Sequence, residues 1–388
     1  ERTHTIFQFK TQFETLAGSK EQVTIAGRIM SQRGQGALAF ADLFDGSAKT
    51  QLFLKSDEMD TDVYKLWNEA TDVGDFVEAT GIAYTTQRGE QALFVSGWKM
   101  LTKSLLPLPE KWHGITDPDE RYRKRYLDIL TDPDLQDLFY KKSQFWEVTR
   151  NFMKEAGFLE VETPTLEVTT GGAEANPFKT RHNDFDIDVF MRISVGELWQ
   201  KRLMAAGFAK TFEIGRVYRN EGSSPDHLQE FTNMEFYWAY ADYEMGMDLV
   251  ERLYKKIAVD VFGTTTFTTR GHTFDLGDTW KKIDYVKEVE KQTGINVLED
   301  SESQMKKKLD ELGVSYTGDN RERLTDSLWK YCRKSISGPA FLVRAPKLVS
   351  PLAKSCADDS RVTERFQIIL AGSEVGNGFS ELNDPVDQ

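Results

Sequence analysis

The first hundred residues consist of short β-prone runs separated by turn residues, with one helical segment among them. The runs lie at 22–30, 38–44, 49–54, 75–84 and 91–100. Turn-forming residues separate most of these runs, as at 45–47 and 88–89. Apolar residues recur at helical spacing between the third and fourth runs, at Val63, Leu66, Trp67 and Ala70. Five strands with a helix at this place predict an OB-fold barrel, an architecture that commonly binds oligonucleotides. A small barrel without a ligand stays open as the alternative, because a barrel shape alone does not identify a ligand.

Length and charge restrict the class of protein further. The chain has 388 residues, with 62 acidic and 49 basic side chains and a formal net charge of −13. The length favours two domains, and the acidic balance argues against a simple basic coat for nucleic acid. No run of about 18 apolar residues occurs, which argues against a membrane-spanning helix. An apolar secretion signal is also missing, so we expect a cytoplasmic location. Cys332 and Cys356 are too few for a disulfide framework or a cysteine zinc site.

Pro107 and Pro109 mark the boundary of the barrel, because proline cannot continue a strand. We therefore predict an OB-fold domain at 1–106, a linker at 107–120 and a second domain at 121–388.

The second domain is predicted to have an α+β fold. A helix is expected over 134–156, and a charged segment at about 281–335 is predicted as an inserted helical hairpin or small bundle. Strands are predicted at 185–194, 211–219, 230–240 and 364–380. Because strands and helices do not alternate strictly, an antiparallel sheet is favoured over a doubly wound sheet.

The most informative segment is 211–240, in which two β-patterned runs flank a polar loop from Asn220 to Glu230. Alternation brings one set of side chains onto one face: Glu213, Gly215, Val217 and Arg219 on the first run, and Phe231, Asn233, Glu235 and Tyr237 on the second. Charges on such a face often indicate only solvent exposure. An arginine, two acids and an aromatic residue beside a Gly/Ser-containing loop instead indicate a pocket that could receive an anion.

This segment resembles motif 2 of class II aminoacyl-tRNA synthetases, in which RNE (219–221) and EF (230–231) flank a variable loop. The sequence GFLEVETP (157–164) resembles motif 1, the helix–strand element of the dimer interface. Three further segments are similar to class II lysyl-tRNA synthetases: GGA (171–173), RISVGEL (192–198) and EVGNGFSELND (374–384). With the barrel, the resemblance covers nearly the whole chain. It implies an antiparallel class II catalytic domain, and an enzyme that activates L-lysine with ATP and transfers it to tRNA(Lys).

For ATP, the resemblance implies Arg219, Glu221, His227 and Phe231. Arg219 would be catalytic and would bind the α-phosphate and the substrate carboxylate, since a planar guanidinium suits both. Phe231 would stack on adenine; a core aromatic is the alternative reading.

For lysine, the resemblance implies a set of pocket residues: Gly172, Glu197, Glu235, Tyr237, Asn377, Phe379 and Glu381. Glu197 would bind the α-ammonium group, and Gly172 would let the substrate approach the backbone. Two carboxylates and a phenol suit an ε-ammonium group, because a buried cation needs paired acceptors. These acids disfavour an aspartate- or asparagine-activating enzyme, and Gln200 stands where the aspartate family carries a lysine.

The resemblance also implies magnesium, bound at Glu374. Where the family usually has a second acid, this chain has Gln367, whose amide oxygen could bind magnesium without adding negative charge. In the barrel, Phe40, Gln51 and Glu90 match positions that read anticodon bases. A homodimer through motif 1 is implied as well.

Two departures from the family pattern bear on activity. Gly196 makes its segment one residue longer than usual, and no glycine-rich motif 3 with its ATP-binding arginine occurs after residue 340. We therefore expect the sequence to be C-terminally incomplete, and this polypeptide by itself to be poorly active. One alternative is a catalytically impaired, synthetase-like RNA-binding or regulatory protein. Another is a ligase that attaches lysine to a protein, against which the barrel weighs.

Overall fold

The computed structural model describes residues 1–109, 114–224 and 227–388. Contacts divide the chain into two compact units, residues 1–137 and 138–388. Within the described ranges, no helix is long and apolar enough to cross a bilayer.

The barrel predicted from the N-terminal runs is confirmed. Residues 23–102 form a closed sheet with the strand order β1-β2-β3-β5-β4. Its strands are β1 (Val23–Gln35), β2 (Leu38–Phe44), β3 (Lys49–Lys55), β4 (Phe76–Thr85) and β5 (Gln91–Thr102). The helices of the first unit are α1 (Ile6–Thr11), α2 (Phe13–Ser19), α3 (Thr61–Ala70), α4 (Pro118–Arg123) and α5 (Arg125–Thr131).

Alternating burial explains why the barrel closes. Along β2 the inward residues Ala39, Ala41 and Leu43 are buried, and each intervening side chain is half-buried. The predicted helix α3 contributes the fully buried Trp67 to the same core. Helices α1 and α2 were not predicted. They bury Phe9 and Phe13 against the barrel, and at six and seven residues they are too short to show a helical period.

The second unit begins within α6 (Pro133–Glu155), the helix predicted over 134–156. Its first strands are β6 (Leu159–Glu160), β7 (Leu166–Glu167), β8 (Lys179–His182), β9 (Ile187–Met191), β10 (Lys210–Tyr218) and β11 (Glu230–Trp238). The later strands are β12 (Thr266–Thr269), β13 (His272–Asp275), β14 (Lys281–Asp284), β15 (Ala340–Val343), β16 (Arg365–Leu370) and β17 (Ser373–Phe379). The remaining helices are α7 (Glu197–Ala205), α8 (Tyr243–Ile257), α9 (Tyr285–Thr293), α10 (Glu302–Glu311) and α11 (Arg321–Cys332).

Among the described residues of the second unit, the strands pair mainly in antiparallel fashion, as predicted, with two parallel exceptions. β10 lies antiparallel to β11 and parallel to β6, and β14 lies parallel to β15 in the sheet β14-β15-β16-β17. The strand predicted over 364–380 is wrong in one respect. It is two strands, because Ala371 and Gly372 have φ values of 47° and 71° and form a tight turn.

Helices cover both faces of the sheet β14-β15-β16-β17. On one face Phe341, Phe366 and Ile368 pack in one core with Met247 and Val250 of α8. On the other face, Leu342 and Ile369 share a core with residues of α9, α10 and α11. These three helices account for most of the charged segment 281–335.

Candidate active site

The hairpin β10–β11 forms the base of the site. Its register pairs Glu213 with Glu235, Gly215 with Asn233, and Val217 with Phe231. Paired residues in an antiparallel ladder share a face, so the predicted face is confirmed.

One acid of that face, Glu213, is already paired with other residues of the protein. Glu213 is buried, and its carboxylate accepts a hydrogen bond of 2.6 Å from Nη1 of the buried Arg192. The same carboxylate accepts hydrogen bonds from the backbone N–H and the hydroxyl of Thr163. Glu213 therefore stabilises the loop after β6 and is not available to a ligand.

The turn before α7 orients Glu197 towards the backbone at Gly172. Gly196 has φ 65°, and a Cβ there would lie 2.0 Å from Thr163 Oγ1, so the extra residue is absorbed as a left-handed turn that only glycine fits. A Cβ on Gly172 would lie 2.1 Å from Ser194 Oγ and 2.5 Å from Glu197 Oε2. Any side chain at 172 would overlap Ser194 and Glu197, so glycine lets the Glu197 carboxylate lie directly against the backbone.

Glu235 is held at the end of the same turn. Its Oε1 accepts hydrogen bonds from the Val195 N–H at 2.9 Å and from Asn233 Nδ2 at 3.2 Å. Burial raises the pKa of Glu235 to about 7, the Val195 hydrogen bond opposes this rise, and the neighbouring charge of Glu197 adds to it. A cation placed beside Glu235 would favour its ionised form.

Tyr237 and Glu381 complete this cluster, which we call the carboxylate pocket: Glu197, Glu235, Tyr237 and Glu381. Burial and the three nearby negative charges raise the pKa of Tyr237 far above its ordinary range, so its phenol stays neutral and can donate a hydrogen bond. Tyr237, Phe379 and Glu381 border a cavity of about 660 Å³. The cavity is large enough for an amino acid, and its lining includes several polar groups.

A cation already bridges two acids of the carboxylate pocket. Lys201 Nζ donates to Glu197 Oε1 at 2.8 Å and to Glu381 Oε1 at 3.0 Å. Burial lowers the pKa of Lys201, but the hydrogen bonds to the two carboxylates outweigh it and raise the pKa above its usual value. Lys201 was not predicted as a site residue. Its i,i+4 spacing from Glu197 predicts an ion pair along a helix. No pattern in the sequence connects it to Glu381.

The residues predicted for ATP lie in or beside the loop that connects β10 to β11. The Arg219 guanidinium lies 5.4 Å from the centre of the half-buried Phe231 ring, and Arg219 Nε donates to the Ile193 carbonyl. Glu221 accepts from the Asn176 N–H, and His227 Nδ1 lies 2.7 Å from Ser224 Oγ. The structure therefore brings Arg219 and Phe231 together. Glu221 and His227 are exposed on the loop, whose residues 225 and 226 are outside the described ranges.

A bulge in β17 brings Glu374 onto the face of its sheet that carries Asn377 and Gln367. Asn377 pairs with Gln367, but Glu374 pairs with Ile369 after a shift of one residue. Glu374 Oε1 accepts from Trp329 Nε1 at 2.9 Å and lies 3.2 Å from Arg333 Nη1. Among the described residues, no group of three or more His, Cys, Asp or Glu side chains is placed to hold a metal ion.

The three residues predicted for anticodon reading lie near one another on the barrel. Phe40 and Gln51 both point away from the barrel core, and Glu90 lies two residues before Ala92, the partner of Gln51. Phe40 stacks on Phe53 at 4.9 Å between ring centres. We call the whole patch the aromatic face: Phe40, Phe53, Tyr84 and Phe94. Its ring centres are 4.9–5.7 Å apart in successive contacts. Sequence reasoning identified only Phe40, because the other rings come from separate strands.

Gln200, the residue that differs from the aspartate family, is a structural residue. It is fully buried, and its amide donates to the Val195 carbonyl at 2.9 Å. Its amide oxygen accepts from the Thr211 hydroxyl at 2.9 Å. Gln200 therefore fixes α7 to β10 and to the turn that orients Glu197.

Comparison with known proteins agrees with both parts of the chain. Residues 117–388 match the family described as tRNA synthetases class II (D, K and N), and residues 23–101 match the OB-fold nucleic acid binding domain. A lysine–tRNA ligase of Roseiflexus sp. strain RS-1 is 42% identical over 100% of this chain and 80% of its own length. Lysine–tRNA ligases of Fervidobacterium nodosum and Thermotoga maritima are 41% and 42% identical, over 100% and 95% of this chain and 76% and 73% of their own lengths.

Proposed function

Because the chain belongs to the class II tRNA synthetases of the D, K and N group, we propose that it activates L-lysine with ATP and transfers it to tRNA(Lys). The observation that supports lysine most directly is the carboxylate pocket. Two ammonium groups on the substrate would face three carboxylates and a neutral phenol, and each buried charge needs such partners. An aspartate side chain would instead bring another negative charge into this pocket.

The reaction would proceed in two steps. An oxygen of the lysine carboxylate would attack the α-phosphorus of ATP, the bond from this phosphorus to the bridging oxygen would break, and pyrophosphate would leave. A ribose hydroxyl at the 3′ end of the tRNA would then attack the lysyl carbonyl, losing its proton as AMP leaves. Positioning and charge neutralisation account for most catalysis of this kind, so no protein nucleophile is required.

Arg219 would act in the first step as the catalytic residue. Its guanidinium would neutralise the α-phosphate as charge shifts towards the leaving group, and its planar fork would orient the lysine carboxylate. Phe231 would stack on the adenine, while Glu221 and His227 on the loop would contact the nucleotide. The hydrogen bond from Arg219 Nε to Ile193 supports this role, because it fixes the guanidinium beside Phe231.

The lysine groups would be divided among the pocket residues. Glu197 would pair with the α-ammonium group, and Gly172, which lies against Glu197, would let the substrate approach the backbone. Glu235, Tyr237 and Glu381 would surround the ε-ammonium group. Asn377 and Phe379 would border the methylene chain.

Magnesium fits two residues of the sheet β14-β15-β16-β17. Gln367 Oε1 is buried with no hydrogen-bond partner among the described residues, and Glu374 on the adjacent strand uses Oε1 for its contacts with Trp329 and Arg333. An amide oxygen and a carboxylate oxygen, completed by phosphates, are a donor set that magnesium accepts. When bound, the ion would neutralise phosphate charge. Glu374 and Gln367 would hold it on the protein side.

The barrel would bind the anticodon of tRNA(Lys). Phe40 would stack on a base, and Gln51 and Glu90 would hydrogen-bond to base edges, as is usual for single-stranded RNA. We propose domain boundaries at 1–106 for the anticodon-binding domain, 107–120 for the linker and 121–388 for the catalytic domain, whereas contacts group residues 118–137 with the first unit. The reaction belongs to the cytoplasm, where tRNA and ATP are both present.

A homodimer through motif 1 is part of the proposal. Large apolar side chains are exposed on and after α6: Leu138, Phe139, Tyr140, Leu159 and Leu166. Such a patch indicates a protein interface. Sedimentation of the purified full-length protein at the dimer mass is the expected result, and a monomer at micromolar concentration would exclude this assembly.

Charging of tRNA tests the proposed function against its alternatives. Purified full-length protein with ATP, magnesium and radiolabelled lysine should yield lysyl-tRNA from tRNA(Lys). A regulatory RNA-binding protein would bind the tRNA without charging it, and a protein-modifying ligase would label protein instead. The family match over both regions of the chain already makes the regulatory alternative the less favoured one.

A further inference from the structure

Lys201 lies between the two carboxylates that the proposed function assigns to opposite ends of the substrate. Its ammonium group donates to Glu197, which would bind the α-ammonium group, and to Glu381, which would bind the ε-ammonium group. Lys201 and Glu381 are 180 residues apart along the chain. Lys201 is the link between the two acids.

The bridge uses one oxygen of each carboxylate. On both acids the contact is made by Oε1. The second oxygen of Glu197, Oε2, points at the Cα of Gly172, where a Cβ would come within 2.5 Å. The bridge therefore fixes one oxygen of each acid and leaves Oε2 of Glu197 beside the backbone at Gly172.

We propose that Lys201 is a positioning residue that sets the separation of the two ammonium-binding carboxylates and thereby selects the length of the amino-acid side chain. This inference rests on the proposed function. With the bridge in place, we expect the separation of the two acids to suit a side chain of four methylenes. Ornithine, which is one methylene shorter, would leave one ammonium group without its partner, and an unsatisfied buried charge is costly.

Two features separate this bridge from an ordinary surface ion pair. Glu197 and Lys201 are spaced as a helical i,i+4 pair, which by itself is worth only about 0.3–0.5 kcal/mol. Here the lysine also reaches a second carboxylate outside its helix, and Glu197 is only 11% exposed. Glu381 is 43% exposed and has Lys201 as a partner from another element, so losing the ammonium group would free both acids to move.

The test is the substitution Lys201→Met, which keeps the apolar stem and removes the charge. Lysine- and ornithine-dependent ATP–pyrophosphate exchange would be measured on the purified full-length protein. We expect KM for lysine to rise about tenfold while kcat changes much less, because Lys201 contacts neither ATP nor the reacting carboxylate. We expect the preference for lysine over ornithine to fall by about tenfold, the discrimination that one methylene commonly provides. Lys201→Arg, which can still bridge two carboxylates, should restore most of this preference.

Lys255→Met is the matched control. Lys255 also forms an i,i+4 pair, with Glu251 at 2.8 Å, and its side chain is 34% exposed against 30% for Lys201. This control should keep the wild-type KM and preference, and thermal unfolding of all three variants checks that each is folded.

Three results would overturn the inference. An unchanged preference and KM in Lys201→Met would reduce the bridge to a surface ion pair. A lower KM for lysine would mean that Lys201 occupies the substrate's place and competes with it. A folded Lys201→Met variant whose loss is confined to kcat would make the effect catalytic and not one of positioning. Absence of lysine-dependent exchange in the wild-type protein would instead reject the proposed function.

Discussion

The aromatic face of the barrel and the carboxylate pocket are built from opposite kinds of side chain. The aromatic face consists of partly exposed, uncharged rings from four strands that stack on one another. The carboxylate pocket collects acids, of which Glu197 is only 11% exposed and Glu381 is 43% exposed. Glu235 there has a pKa raised to about 7 by burial. Binding to the face would rest on stacking beside Arg33, which lies over the Phe40 ring, whereas binding to the pocket must satisfy the charges of several acids.

The two regions differ in how strongly each can discriminate between ligands. Stacking tolerates any base because every base has a π-face, and it is worth about 1–3 kcal/mol per base. A buried charge without its partner costs more, and it discriminates sharply between ligands. We therefore expect substitutions in the second unit to have large, pH-dependent effects on amino-acid activation, and substitutions on the aromatic face to have modest, pH-independent effects on tRNA charging alone.

The largest effect is expected for Arg219→Lys. Lysine keeps the positive charge but loses the planar two-pronged donor, so kcat for lysine-dependent pyrophosphate exchange should fall about 10²–10³-fold. Binding of tRNA, measured by filter retention, should stay at the wild-type level. A loss of less than about fivefold would remove Arg219 from the catalytic role.

The second-largest effect is expected for Glu235→Gln. Its kcat/KM for lysine should fall about 50-fold, since a charged hydrogen bond contributes about 1.5–3 kcal/mol. In the wild-type protein, kcat/KM should rise with pH through about 7, because only the ionised form of Glu235 attracts an ammonium group. The variant should lose this pH dependence. A wild-type profile that is flat between pH 6 and 8 would contradict the account.

The same substitution should stabilise the fold at high pH. The pKa of Glu235 is raised from 4.5 to about 7 in the folded protein, so ionisation opposes folding above pH 4.5. The loss in the free energy of unfolding grows with pH up to about 7 and is at most roughly 3 kcal/mol above that pH. Glu235→Gln should therefore unfold at a higher temperature than wild type at pH 8, and the difference should shrink towards pH 5. A destabilised variant at pH 8 would show that the ionised Glu235 has stabilising partners in the free protein.

On the aromatic face, Phe40→Ala should raise KM for tRNA in charging by about tenfold, the value of one stacked base. Lysine-dependent exchange without tRNA should be unchanged. Phe7→Ala is the control in the same unit, because Phe7 is an exposed ring outside the aromatic face. If Phe40→Ala impaired exchange and charging equally, the two regions would not be separable in the way described.

The smallest effect is expected for Glu90→Gln. Glu90 is exposed in the turn before β5, and its replacement retains a carbonyl oxygen that can accept from a base edge. KM for tRNA should change by about two- to threefold, since exposed polar contacts are worth less than about 1 kcal/mol. A loss larger than that of Phe40→Ala would reverse the order assigned to stacking and base-edge contacts.

The parts of the fold that depend on local residue patterns could be predicted from the sequence. Alternation and turn residues predicted the five strands of the barrel, and the shared face of Glu213 and Glu235 follows from the period of two along β10 and β11. The turn at Ala371–Gly372 was missed because the residues on both sides of it continue the β pattern.

Contacts between distant residues could not be predicted in this way. The bridge from Lys201 to Glu381 depends on where β17 ends relative to α7, which no periodicity encodes. Likewise, Glu374 is paired with Arg333 and Trp329 only because α11 packs beside its sheet. The aromatic face was missed for the same reason, since its rings meet only once the barrel has closed.

The central claim, that the carboxylate pocket selects lysine, is tested most directly by ATP–pyrophosphate exchange with lysine, aspartate and asparagine offered separately to the purified full-length protein. The account predicts exchange with lysine alone. Exchange driven by aspartate or asparagine, with lysine inactive, would contradict it.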